Sequence, residues 1–288
     1  MKNSKISWTD ATFNGWIGCT KVSPGCEHCY AEALDHRWGN DRWGKGKARG
    51  LTSEANWKKP IQWNKEAAVA GVRTKVFCAS MSDVFDTEVP DEWRLKLFDL
   101  IMNTQNLDWL LLTKRPEEML KFYKEKMTFG APTKNIWLGT TVENQEMANK
   151  RIPILLSIPG VIHWLSVEPQ LGPVDLSKIA CSSCEGEPKH MGVLYGSERI
   201  DWVISGGESG HGARPFDLKW ARNLRDQCKE AGVAFFVKQF GHNWVSDNAK
   251  EMVRPAIMNP HSKWDDPQFW PEDLRIQEFP MVGATHGD

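Results

Sequence analysis

No apolar run in this 288-residue chain approaches the ~20 residues that a membrane-spanning helix requires. The N-terminal stretch MKNSKISWTD has no apolar h-region, so it does not read as a secretory leader. Both absences point to a cytoplasmic protein without a membrane. Net charge is also missing. The 36 Lys and Arg against 37 Asp and Glu leave −1 at pH 7, which removes any global nucleic-acid signal. Local basic patches remain in GNDRWGKGKARG and KWARNLRDQCK. Gly206–Gly210 with His211 and Gly212 is glycine-rich but lacks the G-x4-G-K-[ST] pattern of a phosphate loop. Neither a G-x-S-x-G elbow nor an H-E-x-x-H pair occurs.

What is present is an ordinary globular composition, 41% hydrophobic and 25% charged. The length suits one large α/β domain or two small ones. The 15 tryptophans are many for this length, and Trp8, Trp16, Trp38, Trp43, Trp57 and Trp63 stand beside polar residues. Such rings serve as core anchors or as a surface for a planar ligand. Seven cysteines in a chain without a leader imply a reducing cytosol, where clustered thiols are more often metal ligands than disulfides.

From residue 74 one grammar repeats. Continuous apolar runs occupy 74–85, 108–116, 135–144, 161–173, 201–210 and 233–241, and most lead into amphipathic stretches. Unbroken apolar runs read as strands buried on both faces, as in a parallel sheet covered by helices. Polar residues gather just past the strands: Ser80, Ser82 and Asp83; Lys114 and Arg115; Glu143 and Asn144; Glu168; Gly206, Gly207 and Glu208; Lys238. In a (β/α) barrel that end carries the active site. The expected fold is therefore α/β, a (β/α) partial TIM barrel of about six or seven strands. A single domain would run over 1–241, with insertions at about 40–73 and 174–200. The segment 242–288 would be a C-terminal tail packed on the barrel.

Cys19, Cys26 and Cys29 lie together in GCTKVSPGCEHCYAEAL. Soft thiolates select zinc or iron–sulfur over hard cations. A structural zinc takes four protein ligands, and His28 is poorly placed between two of the cysteines to be the fourth. Three cysteines on a [4Fe–4S] cluster leave one iron open. A second pair, Cys181 and Cys184, offers three ligands with His190, which reads equally as a small zinc knuckle or as free thiols. Cys78 and Cys228 read as core residues.

A three-cysteine loop after the first strand of a (β/α) chain resembles the radical S-adenosylmethionine (SAM) superfamily. The spacing here is C-x6-C-x2-C, where that superfamily usually has C-x3-C-x2-C. More closely, WTDATFNGWIGCTKVSPGCEHCYAE, SMSDVFDTEVP, LLTKRP, WLGTTVEN, VEPQLGP, DWVISGGESG and FFVKQFG resemble, in order over residues 6–241, a phage- and bacteria-associated three-cysteine-motif family of unsettled function. The resemblance implies a [4Fe–4S] cluster on Cys19, Cys26 and Cys29, SAM on the open iron, and an external electron donor. It implies cleavage of SAM to a 5′-deoxyadenosyl radical. Ser80, Ser82 and Asp83 stand where the superfamily holds the SAM amino group, although its glycine-glycine-glutamate signature is not there. Here that triplet falls late, at Gly206, Gly207 and Glu208, beside adenine or substrate. Lys114 or Arg115 would pair with the carboxylate of SAM, and Glu143 or Asn144 would meet the ribose; Glu168 and Lys238 complete the set. The phage link points to a nucleic acid or nucleotide as substrate. Two rivals stand from other classes. One is a zinc-stabilised nucleic-acid-binding protein that uses the Trp-rich 38–65 segment. The other is a barrel hydrolase working through Asp83, Glu143, Glu168 and Glu208.

Overall fold

The computed structural model describes residues 4–127, 134–179, 192–196, 198–248, 250 and 262–281. The chain forms two compact units, 1–140 with 158–161, and 141–157 with 162–288.

The first unit begins with the short strands β1 (Ala11–Thr12) and β2 (Trp16–Ile17). The helix α1 (Tyr30–Arg37) follows the cysteines, and β3 (Gly50–Leu51) pairs antiparallel with β2. Then come α2 (Glu54–Trp57), α3 (Lys59–Ala70), β4 (Thr74–Cys78), α4 (Asp91–Met102), β5 (Leu107–Thr113), α5 (Pro116–Lys126) and β6 (Ile136–Thr141). Strands β1, β4, β5 and β6 lie side by side in that order, all parallel. Parallel neighbours require crossovers, and α3, α4 and α5 occupy them. Much of the segment read as an insertion at 40–73 is thus the crossover between β1 and β4. Its helix α3 stops at Gly71, whose φ of 65° is the left-handed C-terminal turn that glycine adopts freely.

The apolar runs became strands because both faces are covered. Val76, Leu107, Trp109, Leu110 and Leu111 are fully enclosed, and α4 turns Leu97, Phe98 and Ile101 inward at helical spacing. The tryptophans are mostly anchors. Trp8, Trp16, Trp43, Trp57 and Trp63 are buried, while Trp38 is 55% exposed.

The second unit holds α6 (Gln145–Leu156), β7 (Ile162–Val167), β8 (Trp202–Gly206), β9 (Phe216–Asp217), α7 (Leu218–Ala231), β10 (Ala234–Gln239) and β11 (Trp244–Val245). Strands β7, β8 and β10 run parallel in that order, and β9 pairs with β11. Asn144 caps α6 by accepting from the Met147 N–H at 3.0 Å, and Asp217 caps α7 by accepting from Lys219 N–H at 2.9 Å. The described part of the C-terminal segment lies along β10: Val237 N–H donates to the Ile276 carbonyl, and Trp202 Nε1 donates to the Glu278 carbonyl at 2.9 Å. No helix among the described residues is long and apolar enough to cross a membrane.

Candidate functional site

The cysteines sit in the loop between β2 and α1. Backbone bonds fix where it starts. Gly18 N–H donates to the Met81 carbonyl at 3.0 Å, so the loop leaves beside the segment that follows β4. Gly18 has φ 112°, and a Cβ there would fall 2.3 Å from the Arg42 carbonyl oxygen. Only glycine allows this approach. Pro24 then opens a single 3-10 turn ending at Cys26, and Cys29 occupies the N-cap of α1.

The three sulfurs meet different surroundings. Cys19 and Cys29 pack against the buried cluster of Ala31, Trp43 and Met81. Burial pushes the Cys19 thiol up to about 12; Asp83 adds to the rise and Arg115 opposes it. Burial also raises Cys29, against the pull of the Glu32 and Ala31 N–H groups and the Lys114 ammonium. As a thiol, Cys29 makes no capping hydrogen bond. All three cysteines are partly exposed, and the sulfur of Cys26 lies 3.9 Å from Ser23 Oγ.

A buried charge network holds the loop from behind. Arg115 Nη1 lies 3.6 Å from Cys19 Sγ and 3.0 Å from Asp83 Oδ2, while its Nη2 donates to the Thr20 carbonyl. Asp83 also accepts from Thr113 Oγ1 at 2.7 Å, Phe85 N–H at 2.9 Å and Lys114 N–H at 3.0 Å. Arg49 joins Asp86 at 2.7 Å to Thr20 Oγ1 at 2.6 Å and ties down the carbonyls of Arg42, Gly44 and Lys47. Asp86 stands 3.5 Å from Arg115, so two carboxylates face two guanidinium groups. Burial raises the pKa of Asp86, with Arg115 and Arg49 opposing.

The residues expected to bind SAM are thus distributed as follows. Asp83, Lys114 and Arg115 gather at the cysteine loop, Asp83 with all its acceptor positions taken by the four donors above. Ser80 Oγ accepts from Asn14 Nδ2 at 3.0 Å, and its carbonyl accepts from Tyr30 Oη at 2.6 Å. Ser82 Oγ is a buried atom with no hydrogen-bond partner among the described residues, and so is Trp43 Nε1.

In the second unit the residues form separate groups. Glu168 pairs with Lys238 at 2.9 Å, and a Cβ on Gly206 would come 2.7 Å from Glu168 Oε1. Gly207 lets β8 pass β10, because a Cβ there would meet the Phe240 carbonyl oxygen at 2.0 Å. Glu208 accepts twice from the Arg214 guanidinium, at 3.0 and 2.6 Å, and once from its N–H at 2.9 Å. Glu143 is buried against Arg151 at 2.8 Å, and Asn144 is the helix cap already described. Cys181, Cys184 and His190 lie outside the described residues. Reasoning from sequence missed Arg49, Asp86, Arg151 and Arg214. The D-x-x-D spacing of Asp83 and Asp86 was the available signal for one of them.

The donor set suits an iron–sulfur cluster. Three thiols share one loop, two of them backed by apolar packing, with cations beside them to favour thiolates. Trp43, whose buried N–H has no hydrogen-bond partner among the described residues, lies in the same packing cluster. Among the described residues no group of three His, Cys, Asp or Glu side chains is placed to hold a metal ion.

A family model described as "Protein of unknown function (DUF5131)" matches residues 3–269 of the chain. No curated protein and no solved structure matches it.

Proposed function

We infer, for a chain that belongs to the DUF5131 family, that the first unit is the cluster-binding part of a radical SAM-like iron–sulfur enzyme on a (β/α) partial barrel. The observation that carries this reading is the Cys19–Cys26–Cys29 loop, seated at the strand ends of a parallel sheet with Arg115 on one sulfur and Lys114 near another. Cys19, Cys26 and Cys29 would hold three irons of a [4Fe–4S] cluster, leaving the fourth for SAM. Such a pair, when bound and reduced, supplies a 5′-deoxyadenosyl radical for hydrogen abstraction.

The chain's own residues do the rest. The apolar wall of Ala31, Trp43 and Met81 backs Cys19 and Cys29, which stay partly exposed. The N–H groups opening α1 and the Lys114 ammonium favour the Cys29 thiolate. Asp83 is spent on holding Arg115 and the start of α5, so it acts as a positioning residue. Lys114, whose ammonium acts on the Cys29 sulfur, is the better candidate for a ligand carboxylate.

Anaerobic reconstitution with iron and sulfide tests the reading. The expected result is a broad absorbance near ~400 nm that bleaches with dithionite and is lost in Cys26→Ala, a substitution that spares the core. Formation of 5′-deoxyadenosine from SAM then identifies the reaction class. Stoichiometric zinc without iron uptake refutes it.

A further inference from the structure

We propose that Arg115 sets the reduction potential of the cluster by donating a hydrogen bond to the sulfur of its ligand Cys19; this rests on the cluster reading above. The geometry is specific to that one sulfur. Arg115 Nη1 is 3.6 Å from Cys19 Sγ, within the reach of a hydrogen bond to sulfur. The guanidinium has no freedom to leave, because Asp83 holds Nη1 at 3.0 Å, Asp86 stands 3.5 Å from Nη2, and the Thr20 carbonyl takes Nη2 as well. Its side chain is 5% exposed, so water does not screen it.

Hydrogen bonds to cluster sulfurs and nearby positive charge stabilise the more electron-rich state, which raises the potential. The arrangement is asymmetric. Cys29 has helix N–H groups and Lys114 near it, and among the described residues a buried guanidinium is within hydrogen-bond reach of Cys19 alone of the three. Arg115 is 96 residues from Cys19 in sequence, and the bond exists only once β5 is paired beside β4. It therefore also couples the potential to the folding of this sheet.

The test is redox titration of the reconstituted full chain, following the visible absorbance and the spin signal of the reduced cluster. Arg115→Gln should lower the midpoint and reduce the ratio of reduced to oxidised cluster at a fixed potential by about tenfold, or ~59 mV for a one-electron couple. Arg115→Lys keeps the charge but loses the planar fork, and should fall between. Arg94→Gln is the control: it removes a buried guanidinium that bonds the Val84 and Asp86 carbonyls instead of sulfur, and should leave the midpoint in place. If Arg115→Gln does not fold, Arg115→Lys decides. A cluster whose midpoint is the same with Arg, Lys or Gln at 115 overturns the inference and leaves the cluster reading standing. A natural chain that takes up no cluster removes both.

Discussion

Replacing Asp83 with Asn should loosen the first unit by about 3 kcal/mol, and the figure follows from the contacts. Asp83 Oδ1 accepts from Thr113 Oγ1 and Phe85 N–H, and Oδ2 accepts from Lys114 N–H and Arg115 Nη1. An asparagine has one acceptor oxygen and one amide nitrogen. Turned one way, its NH2 group faces the Lys114 N–H and Arg115 Nη1 donors; turned the other, it faces the Phe85 N–H donor and the Thr113 hydroxyl, which can rotate to accept. Each unsatisfied buried donor costs ~1–3 kcal/mol, and removing one partner of a buried ion pair costs ~3–5 kcal/mol. Asp86 remains 3.5 Å from Arg115 and compensates part of the charge, which places the total at the lower end. Native-state amide exchange of the β4 and β5 strands reads this unit alone. A loss of ~3 kcal/mol appears there as exchange about 100- to 200-fold faster in the most protected amides. Acceleration below about threefold would mean that the network contributes no more than a surface pair does, and the argument for Arg115 as a fixed donor would fail with it.

Other outcomes follow from the same packing and charges. Burial raises the thiols of Cys19, Cys78 and Cys228 from 9.0, that of Cys19 to about 12, so the folded apoprotein retains protons that the unfolded chain releases. Stability is then full below about pH 9 and falls as pH climbs toward 12. Urea midpoints measured from pH 8 to 11 should fall, and Cys228→Ala should flatten the slope; midpoints that rise with pH would contradict it. Gly207→Ala forces a Cβ to 2.0 Å from the Phe240 carbonyl oxygen, an overpacking of ~1–3 kcal/mol, seen as a thermal midpoint several degrees lower. Trp43→Phe deletes a buried donor with no partner among the described residues. It should change apoprotein stability by less than ~1 kcal/mol yet shorten the lifetime of a reconstituted cluster in air, followed by its visible absorbance.

The strands β4, β5, β6, β7, β8 and β10 were legible because burial on both faces favours nearly continuous apolar runs, as in LDWLLLT of β5. The amphipathic stretches that form α4 and α7 showed equally well, through their spacing. The two-residue strands β2, β3, β9 and β11 were not legible, since two residues have no period. A polar helix was legible within 40–73, but the polar outer face of α3, with Gln62, Lys65 and Glu66, gave no sign that it packs as a crossover. At the site, the cysteines announced themselves by proximity in sequence. Arg49 meets Asp86 across 37 residues and Arg115 meets Cys19 across 96, and no local pattern encodes such meetings. Asp83 illustrates the limit: its type and place suggested a ligand contact, while its four donors give it a supporting part.

The capping of α1 has a consequence for how the chain can be watched. An eight-residue helix is marginal without a good cap, and here the cap position holds a thiol that makes no capping bond. Turning that thiol into a metal-bound sulfur would also pin the first turn of α1. The amides from Ala33 to Arg37 then become a built-in gauge: their hydrogen exchange should slow when the cysteine loop is loaded, and quicken again when it is stripped. A segment with no part in the chemistry would report, residue by residue, whether each molecule carries its cargo.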